Sequence, residues 1–194
     1  MKKLFYAIAG LVILGSLNGC GYNTIQANEE AVFAAWGNVE SSYQRRADLI
    51  PNLVETVKGY ARHESETLQA VTEARAKVGS MQLDKNLLDD PAAISKFQQN
   101  QGELSSALSR LLVVTERYPE LKANENFMDL QKQLEGTENR INVARDRYNA
   151  AVQVFNTSIR TFPNSLTNSM LLKLQRKEPF KADEAAKTAP AVKF

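Results

Sequence analysis

Apolar residues recur at spacings of three and four over most of the chain, a pattern that predicts amphipathic α-helices. The first such stripe runs from Glu29 to Val78 and keeps its phase for about fifty residues, which would span about 75 Å as one helix. Pro51 lies inside the stripe, and because the phase continues beyond it, we predict one long helix with a kink near Pro51. The alternative is a break at this proline, which would give four segments of comparable length. Gly79 is a suitable residue for the end of the stripe.

A polar connector at residues 84–90 separates this helix from the next one. Asp90 is an N-cap acid followed directly by a proline, which is a strong helix start, and the second helix is expected to end at Pro119. Asn124 can cap a third helix, whose apolar stripe continues to Phe162 and stops before the next proline. Three long helices are therefore predicted.

The C-terminal part predicts a short helix followed by a tail. The helix is expected from about Ser165 to Leu174, and from residue 177 onward the chain is rich in Lys, Ala, Pro and Glu, which is typical of a loosely held segment. Short connectors place consecutive long helices antiparallel to each other. The predicted fold is all-α, an elongated antiparallel up-down bundle of three long helices plus the short C-terminal helix.

The first residues have the pattern of a bacterial lipoprotein signal peptide. Two lysines precede an apolar stretch at 4–14, which is shorter than the roughly 20 residues of a membrane span and suits the core of a signal peptide. A lipobox follows, with an aliphatic residue, a small residue and then the cysteine that receives the lipid: Leu17, Asn18, Gly19 and Cys20.

Lipidation of Cys20 would anchor the protein to a membrane without a span. Gly21, in place of an acid after the cysteine, resembles lipoproteins that enteric-type bacteria send to the outer membrane. We therefore expect a cell-envelope location, at the outer membrane if the source is Gram-negative. An uncleaved signal anchor and cleavage without lipidation are the alternatives. The predicted divisions are a signal peptide at 1–19, the lipidated cysteine and a short tether at 20–28, the bundle at 29–174 and a flexible tail at 175–194.

Charge and composition exclude several functions. Cleavage before Cys20 removes two lysines and no acid, so the net charge of +2 falls to zero, and we expect no nucleic-acid partner. One cysteine and one histidine exclude an internal disulfide and a His-His zinc site within the chain. His63 is also not part of the Glu-x-x-His pair that a di-iron bundle needs, because Tyr60 lies three residues before it. We expect no catalytic residues, no metal and no cofactor.

Several polar residues fall on or beside the apolar stripes and are candidates for a buried polar layer or a partner site. A buried guanidinium or carboxylate must be paired, so we expect Arg46 or Arg140 to contact an acid such as Glu64 or Glu138. Tyr43, Tyr60 and Tyr148 lie at stripe positions and are expected in the core. The candidate set is Arg46, Tyr60, His63, Glu64, Glu138 and Arg140.

Six short segments, in this order, resemble the LemA family of bacterial membrane-associated proteins. They are RRADLIPNLV at 45–54, VKGYARHE at 57–64, ERYPELKAN at 116–124, TENRI at 137–141, YNAAV at 148–152 and FP at 162–163. The resemblance implies a long α-helical bundle and no established enzymatic activity. Many members of the family carry an N-terminal transmembrane helix, and this chain departs from them in its short apolar stretch and lipobox.

These observations favour a lipid-anchored, non-enzymatic scaffold or adaptor for envelope complexes, with protein partners. A self-assembling coiled-coil element that forms homo-oligomers is the second hypothesis. An enzyme that acts on cell-wall or lipid substrates through carboxylates such as Glu64 and Glu138 is the third.

Overall fold

The computed structural model describes residues 2–81 and 85–181, and the side chains of 21–81 and 87–181. The regular secondary structure in this part of the chain is helical and includes no strand, which confirms the predicted all-α bundle. The elements are α1 (Lys2–Tyr60), α2 (Ser65–Gly79), a 3₁₀ turn (Lys85–Asp89), α3 (Pro91–Thr115), the one-turn α4 (Pro119–Lys122), α5 (Glu125–Ser158), the one-turn α6 (Asn164–Thr167) and a π turn (Asn168–Leu172).

The first stripe is divided between two antiparallel helices, so the predicted single helix from Glu29 to Val78 is wrong. The chain turns at residues 61–64, and α2 packs back against α1 and α3. The reversal buries the apolar face of α2, which would otherwise project beyond the bundle into water. That face consists of Leu68, Val71, Ala74 and Val78.

Helix α1 continues through Pro51, so the alternative of a break at this proline is also wrong. Proline has no N–H, and the carbonyl of Ala47, four residues earlier, therefore lacks its usual helical donor. Arg75 of α2 supplies one, because its Nε donates to the Ala47 carbonyl at 3.0 Å. The hairpin of α1 and α2 thus compensates for the proline inside α1.

We expect Arg75→Met to lower the free energy of unfolding by about 1–3 kcal/mol, since it leaves a part-buried carbonyl without a donor. The same substitution should have a smaller effect in a Pro51→Ala background, where the alanine N–H can bond the Ala47 carbonyl. A double-mutant cycle by urea denaturation measures this coupling. If the effects of Arg75→Met and Pro51→Ala on the free energy of unfolding are additive, the Arg75 hydrogen bond does not compensate for the missing N–H of Pro51.

The caps at two helix starts are confirmed. Asp90 accepts a hydrogen bond from the N–H of Ala92 at 2.8 Å and starts α3. Asn124 accepts one from the N–H of Phe127 at 3.0 Å and starts α5. Helices α3 and α5 end at Thr115 and Ser158, in each case a few residues before the proline that was expected to stop them.

Three segments that were expected to be polar or loose are packed against the bundle. In the connector at 84–90, Leu87 and Leu88 are buried. The expected tether at 21–28 is part of α1, and Ile25 on it is fully buried. Residues 175–181 lie against α5 through Phe180 and other contacts described below, whereas 182–194 lie outside the described residues. The lipobox at 17–20 lies where the structure describes the backbone alone.

The core has two halves that meet at one level of the bundle. One half is rich in aromatic side chains, surrounds Trp36 and draws its α1 residues from the range 25–43. The other half is mostly aliphatic and surrounds Leu53, near the turn at 61–64. The boundary between them falls at Arg46 of α1, Gln101 of α3 and Glu138 of α5. This polar boundary is the candidate site.

Candidate functional site

Arg46 is only 2% exposed, although it carries a charge. Its guanidinium donates to Glu138 Oε1 at 2.7 Å, to Ser105 Oγ at 2.8 Å and to the side-chain oxygen of Gln101. The partners come from α3 and α5, so this one side chain joins three helices. A buried arginine is tolerated only when charge-assisted hydrogen bonds of this kind replace its hydration.

Three buried nitrogen atoms at the same level have no hydrogen-bond partner among the groups that the structure describes: Arg46 Nε, Gln98 Nε2 and Gln101 Nε2. All three residues line a cavity of about 380 Å³ between α1, α3 and α5, which we call the Arg46 cavity. Its rim includes Asn142 and Arg145 of α5. Unsatisfied donors are costly when buried, and oxygen atoms of a bound group would satisfy them.

The structure brings Arg46 and Glu138 together, which is one of the pairings that the apolar stripes allowed. Glu64 lies elsewhere, at the end of the bundle where α1 turns into α2. It accepts a hydrogen bond from Tyr118 Oη and forms an ion pair with Arg117, each at 3.0 Å. The bond to Glu64 also raises the pKa of the Tyr118 phenol, because the phenol can donate this hydrogen bond only while it is protonated.

The remaining candidates do not join the Arg46 network. Tyr60 is 43% exposed, so its expected place in the core is wrong, and its hydroxyl accepts a hydrogen bond from Asn124 at 3.0 Å. His63 is exposed in the turn that follows. Arg140 is exposed on α5 and lines a different cavity, between α5 and the α1 residues around Asn38.

A second buried cation lies outside all of the predicted site residues. Lys177 is 3% exposed, and its ammonium group lies 2.5 Å from Asp89 and 3.3 Å from Glu29. It also lies 5.2 Å from the centre of the Phe33 ring, within range of a cation–π contact. Two carboxylates and an aromatic face thus stabilise a charge in a segment that the sequence predicted as a tail.

Residues 177–181, which we call the strap, are held on α5 by their main chain. The amide side chain of Asn156 both donates to the carbonyl and accepts from the N–H of Lys177, each at 2.9 Å. Asn149 forms the same pair of bonds with Phe180, at 3.2 and 2.8 Å. Seven helical residues span roughly 10.5 Å and three extended residues span nearly the same length, so the two asparagines match the strap in register.

The strap also completes the aromatic half of the core. The Phe180 ring is stacked on Trp36 with centroids 6.0 Å apart and lies edge-on to Tyr148 at 5.3 Å. Burial, together with the carboxylates of Asp89 and Glu178, raises the pKa of the Tyr148 phenol. Tyr148 therefore stays a neutral donor to the carbonyl of Glu178, at 3.1 Å. Arg145 donates to the carbonyl of Lys181 at 2.9 Å, and so joins the strap to the rim of the Arg46 cavity.

No group of three or more His, Cys, Asp and Glu residues that could hold a metal ion occurs in the described part of the chain. Within the same ranges, no helix has the length and apolar composition needed to cross a bilayer. The two buried cations, Arg46 and Lys177, each belong to a set of polar contacts: the first opens into the Arg46 cavity, and the second fastens the strap.

Comparison with known proteins finds relatives that are named either magnetosome protein MamQ or Protein LemA. The chain is 29% identical over 158 residues to magnetosome protein MamQ 2 of Paramagnetospirillum magneticum, an alignment that covers 73% of this chain and 58% of the relative. It is 24% identical over 140 residues to Protein LemA of Metamycoplasma hominis, which covers 72% of this chain and 60% of that protein. Magnetosome protein MamQ of Magnetospirillum gryphiswaldense is 27% identical over 158 residues, with shares of 73% and 58%. The chain thus spans less than two thirds of the length of these relatives.

The sequence profile of the LemA family extends over nearly the whole described bundle and beyond it. It matches residues 35–194, a range that includes Arg46, Glu138 and the strap. This match confirms the resemblance of the six sequence segments, and the chain belongs to the LemA family.

Proposed function

We propose that this protein is a membrane-held, non-enzymatic scaffold of the cell envelope that binds partner proteins at the Arg46 cavity. One observation carries the proposal: α1 is a single helix that contains both Cys20 and Arg46. From Cys20 to Arg46 the helix rises by roughly 39 Å. A continuous helix of this length is suited to hold a binding site at a set distance from a membrane surface.

The chemistry of the Arg46 cavity supports a partner rich in oxygen acceptors. The three unpartnered nitrogens are donors, and the charge of Arg46 is shared with one carboxylate, Glu138, whose side chain is 42% exposed. A carboxylate side chain or a main-chain carbonyl of a docked segment could accept from these donors.

The proposed anchor is a lipid on Cys20, with residues 1–19 removed as a signal peptide and the bundle outside the cytoplasm. The lipobox at 17–20 supports it, and Gly21 supports the outer membrane in a Gram-negative source. Intact mass of the protein extracted from its native membrane is the direct measurement. We expect the mass of residues 20–194 plus a diacylglyceryl group, with or without an N-acyl chain. The mass of the uncleaved chain would instead indicate an N-terminal signal anchor.

Site-specific photocrosslinking in the native cell tests the scaffold role. A photoreactive residue at Asn142, which is exposed on the rim of the cavity, should give a discrete adduct with a second protein. The matched control is Lys132, which is exposed on the same helix about 15 Å away and outside the cavity. Adducts at position 142 should also depend on residues 1–20, because the partner is expected at the membrane.

Three results would contradict the proposal: no adduct at position 142, the same adducts at both positions, or recovery of the full chain in the soluble fraction. An adduct of twice the mass of the chain would favour the self-assembling alternative. If cross-linking at position 142 persists without residues 1–20, partner binding at the Arg46 cavity does not depend on attachment to the membrane.

A further inference from the structure

The largest concentration of exposed apolar side chains in the described part of the chain follows α5, where α6 packs beside Gly21 of α1. Ten large apolar or aromatic side chains are exposed in the described part of the chain, and four of them fall within ten consecutive residues. These four form what we call the 162–171 patch, and they are 53–75% exposed: Phe162, Leu166, Met170 and Leu171. Such a cluster is unusual on a protein surface that contacts only water.

The patch is held in place by well-defined contacts. Asn168 accepts a hydrogen bond from the N–H of Leu174 at 2.9 Å and donates to its carbonyl at 3.1 Å. Lys173 between them has a left-handed backbone, with φ of 55°. Thr167 is buried against α1, while its neighbour Leu166 points away from the bundle and is 53% exposed. The apolar side chains are thus fixed in an outward direction.

The position of the patch along α1 is set by Gly21. A Cβ atom on Gly21 would lie 2.9 Å from Asn164 Oδ1 and 3.2 Å from Thr167 Oγ1, so the close approach of α6 to α1 depends on this glycine. Gly21 directly follows Cys20, and it lies roughly 10 Å along the helix from the end of the apolar stretch at 4–14. The patch is therefore level with the proposed point of membrane attachment, whether that point is a lipid or an uncleaved apolar segment.

The charge around the patch is positive. No Asp or Glu occurs in residues 21–28 or 160–176, whereas Arg160, Lys173 and Arg176 are present and exposed. Tyr22, on α1 beside Gly21, is also 43% exposed. Basic side chains next to exposed apolar and aromatic ones are typical of segments that lie in the interface of an anionic membrane.

We infer that the 162–171 patch is a second membrane contact, which inserts its apolar side chains at the boundary between headgroups and acyl chains of an anionic bilayer. Arg160, Lys173 and Arg176 contact the headgroup phosphates. The inference rests on the proposed membrane attachment and adds to it. The continuous helix from residue 20 sets the distance of the Arg46 cavity from the point of attachment, and the second contact also fixes the tilt of the bundle relative to the membrane.

Quenching of tryptophan fluorescence by brominated acyl chains tests the inference with the full chain. The protein is reconstituted on vesicles of phosphatidylcholine and phosphatidylglycerol as a Met170→Trp variant. Val113→Trp is the matched control, because Val113 is 71% exposed on α3, next to the aliphatic half of the core and far from the patch. Trp36 is buried and contributes the same background to both variants.

We expect emission at position 170 to shift to the blue and to be quenched, and emission at position 113 to remain unquenched. Replacing Arg160, Lys173 and Arg176 with glutamine should reduce the quenching at position 170. If both variants float with the vesicles and their emission is equally unquenched, the inference that the 162–171 patch contacts the membrane is wrong. The proposed function is then unaffected. Failure of the chain to float with vesicles would overturn both. Hydrogen exchange of the unsubstituted chain is the second measurement, and its amides at 164–172 should exchange more slowly on anionic vesicles.

Discussion

Leu53→Asp is expected to unfold most of the bundle. Leu53 is completely buried in the aliphatic half of the core, on the face of α1 that packs against the neighbouring helices. The substitution removes apolar contacts and places a carboxylate among the apolar side chains of this half of the core. Its effect should exceed about 4 kcal/mol, a large part of the 5–15 kcal/mol that typically stabilises a domain.

Helical circular dichroism followed through urea denaturation measures this effect. Val113→Asp is the control, since its side chain is 71% exposed on α3 and its expected effect lies within about 0.5 kcal/mol. Leu53→Ala separates lost packing from buried charge and should cost about 2–5 kcal/mol. A Leu53→Asp variant that unfolds at the same urea concentration as the parent would mean that this stripe faces solvent and serves as a partner surface.

The stripes and caps could be predicted because each depends on nearby residues. The spacing of Val32, Trp36 and Val39 places one face of α1 in the core, and the side chains of Asp90 and Asn124 accept hydrogen bonds from backbone N–H groups within their own helix starts. These signals are local, so periodicity and capping rules detect them.

The reversal between α1 and α2 could not be read from the same pattern. The turn at 61–64 preserves the phase of the apolar stripe, and the sequence at those positions is Ala-Arg-His-Glu, without glycine or proline. Pro51, the obvious candidate for a break, is accommodated by Arg75, which lies 24 residues later in the chain. Only the packing of α2 reveals where the stripe divides.

The same long-range packing decided the partner of Arg46. Its position on an apolar stripe required an acid, and both Glu64 and Glu138 were available in the sequence. Eighteen residues along α1 and its turn place Glu64 roughly 27 Å away. Glu138, on the antiparallel α5, comes level with Arg46 and binds it.

The strap was missed because most of its hydrogen bonds are made by backbone atoms. Asn149 and Asn156 bind the N–H and C=O groups of Phe180 and Lys177, which every residue type except proline provides. Composition rich in Lys, Pro and Glu therefore suggested a tail. Phe180 gave the one available signal, as an isolated aromatic residue in a polar segment.

Phe180→Ala is expected to release the strap from α5. The ring is 6% exposed and contacts Trp36, Tyr148 and Phe97, and removal of a buried phenylalanine ring costs about 3–5 kcal/mol. Because the strap follows the last turn of the bundle, we expect local detachment in place of global unfolding. Trp36 is the only tryptophan of the chain, so its emission should shift to the red as water replaces the stacked ring.

Hydrogen exchange at two amides tests this release directly. The N–H groups of Lys177 and Phe180 donate to Asn156 and Asn149, and both should lose protection in the Phe180→Ala variant. Pro179→Ala is the control, because Pro179 is an exposed strap residue between these contacts and should leave Trp36 emission unchanged. Unchanged emission and protection in Phe180→Ala would mean that the hydrogen bonds and ion pairs of the strap hold it without the ring. Release also frees Arg145, which bonds the strap at Lys181 and lines the Arg46 cavity, so adducts from position 142 should change in this variant as well.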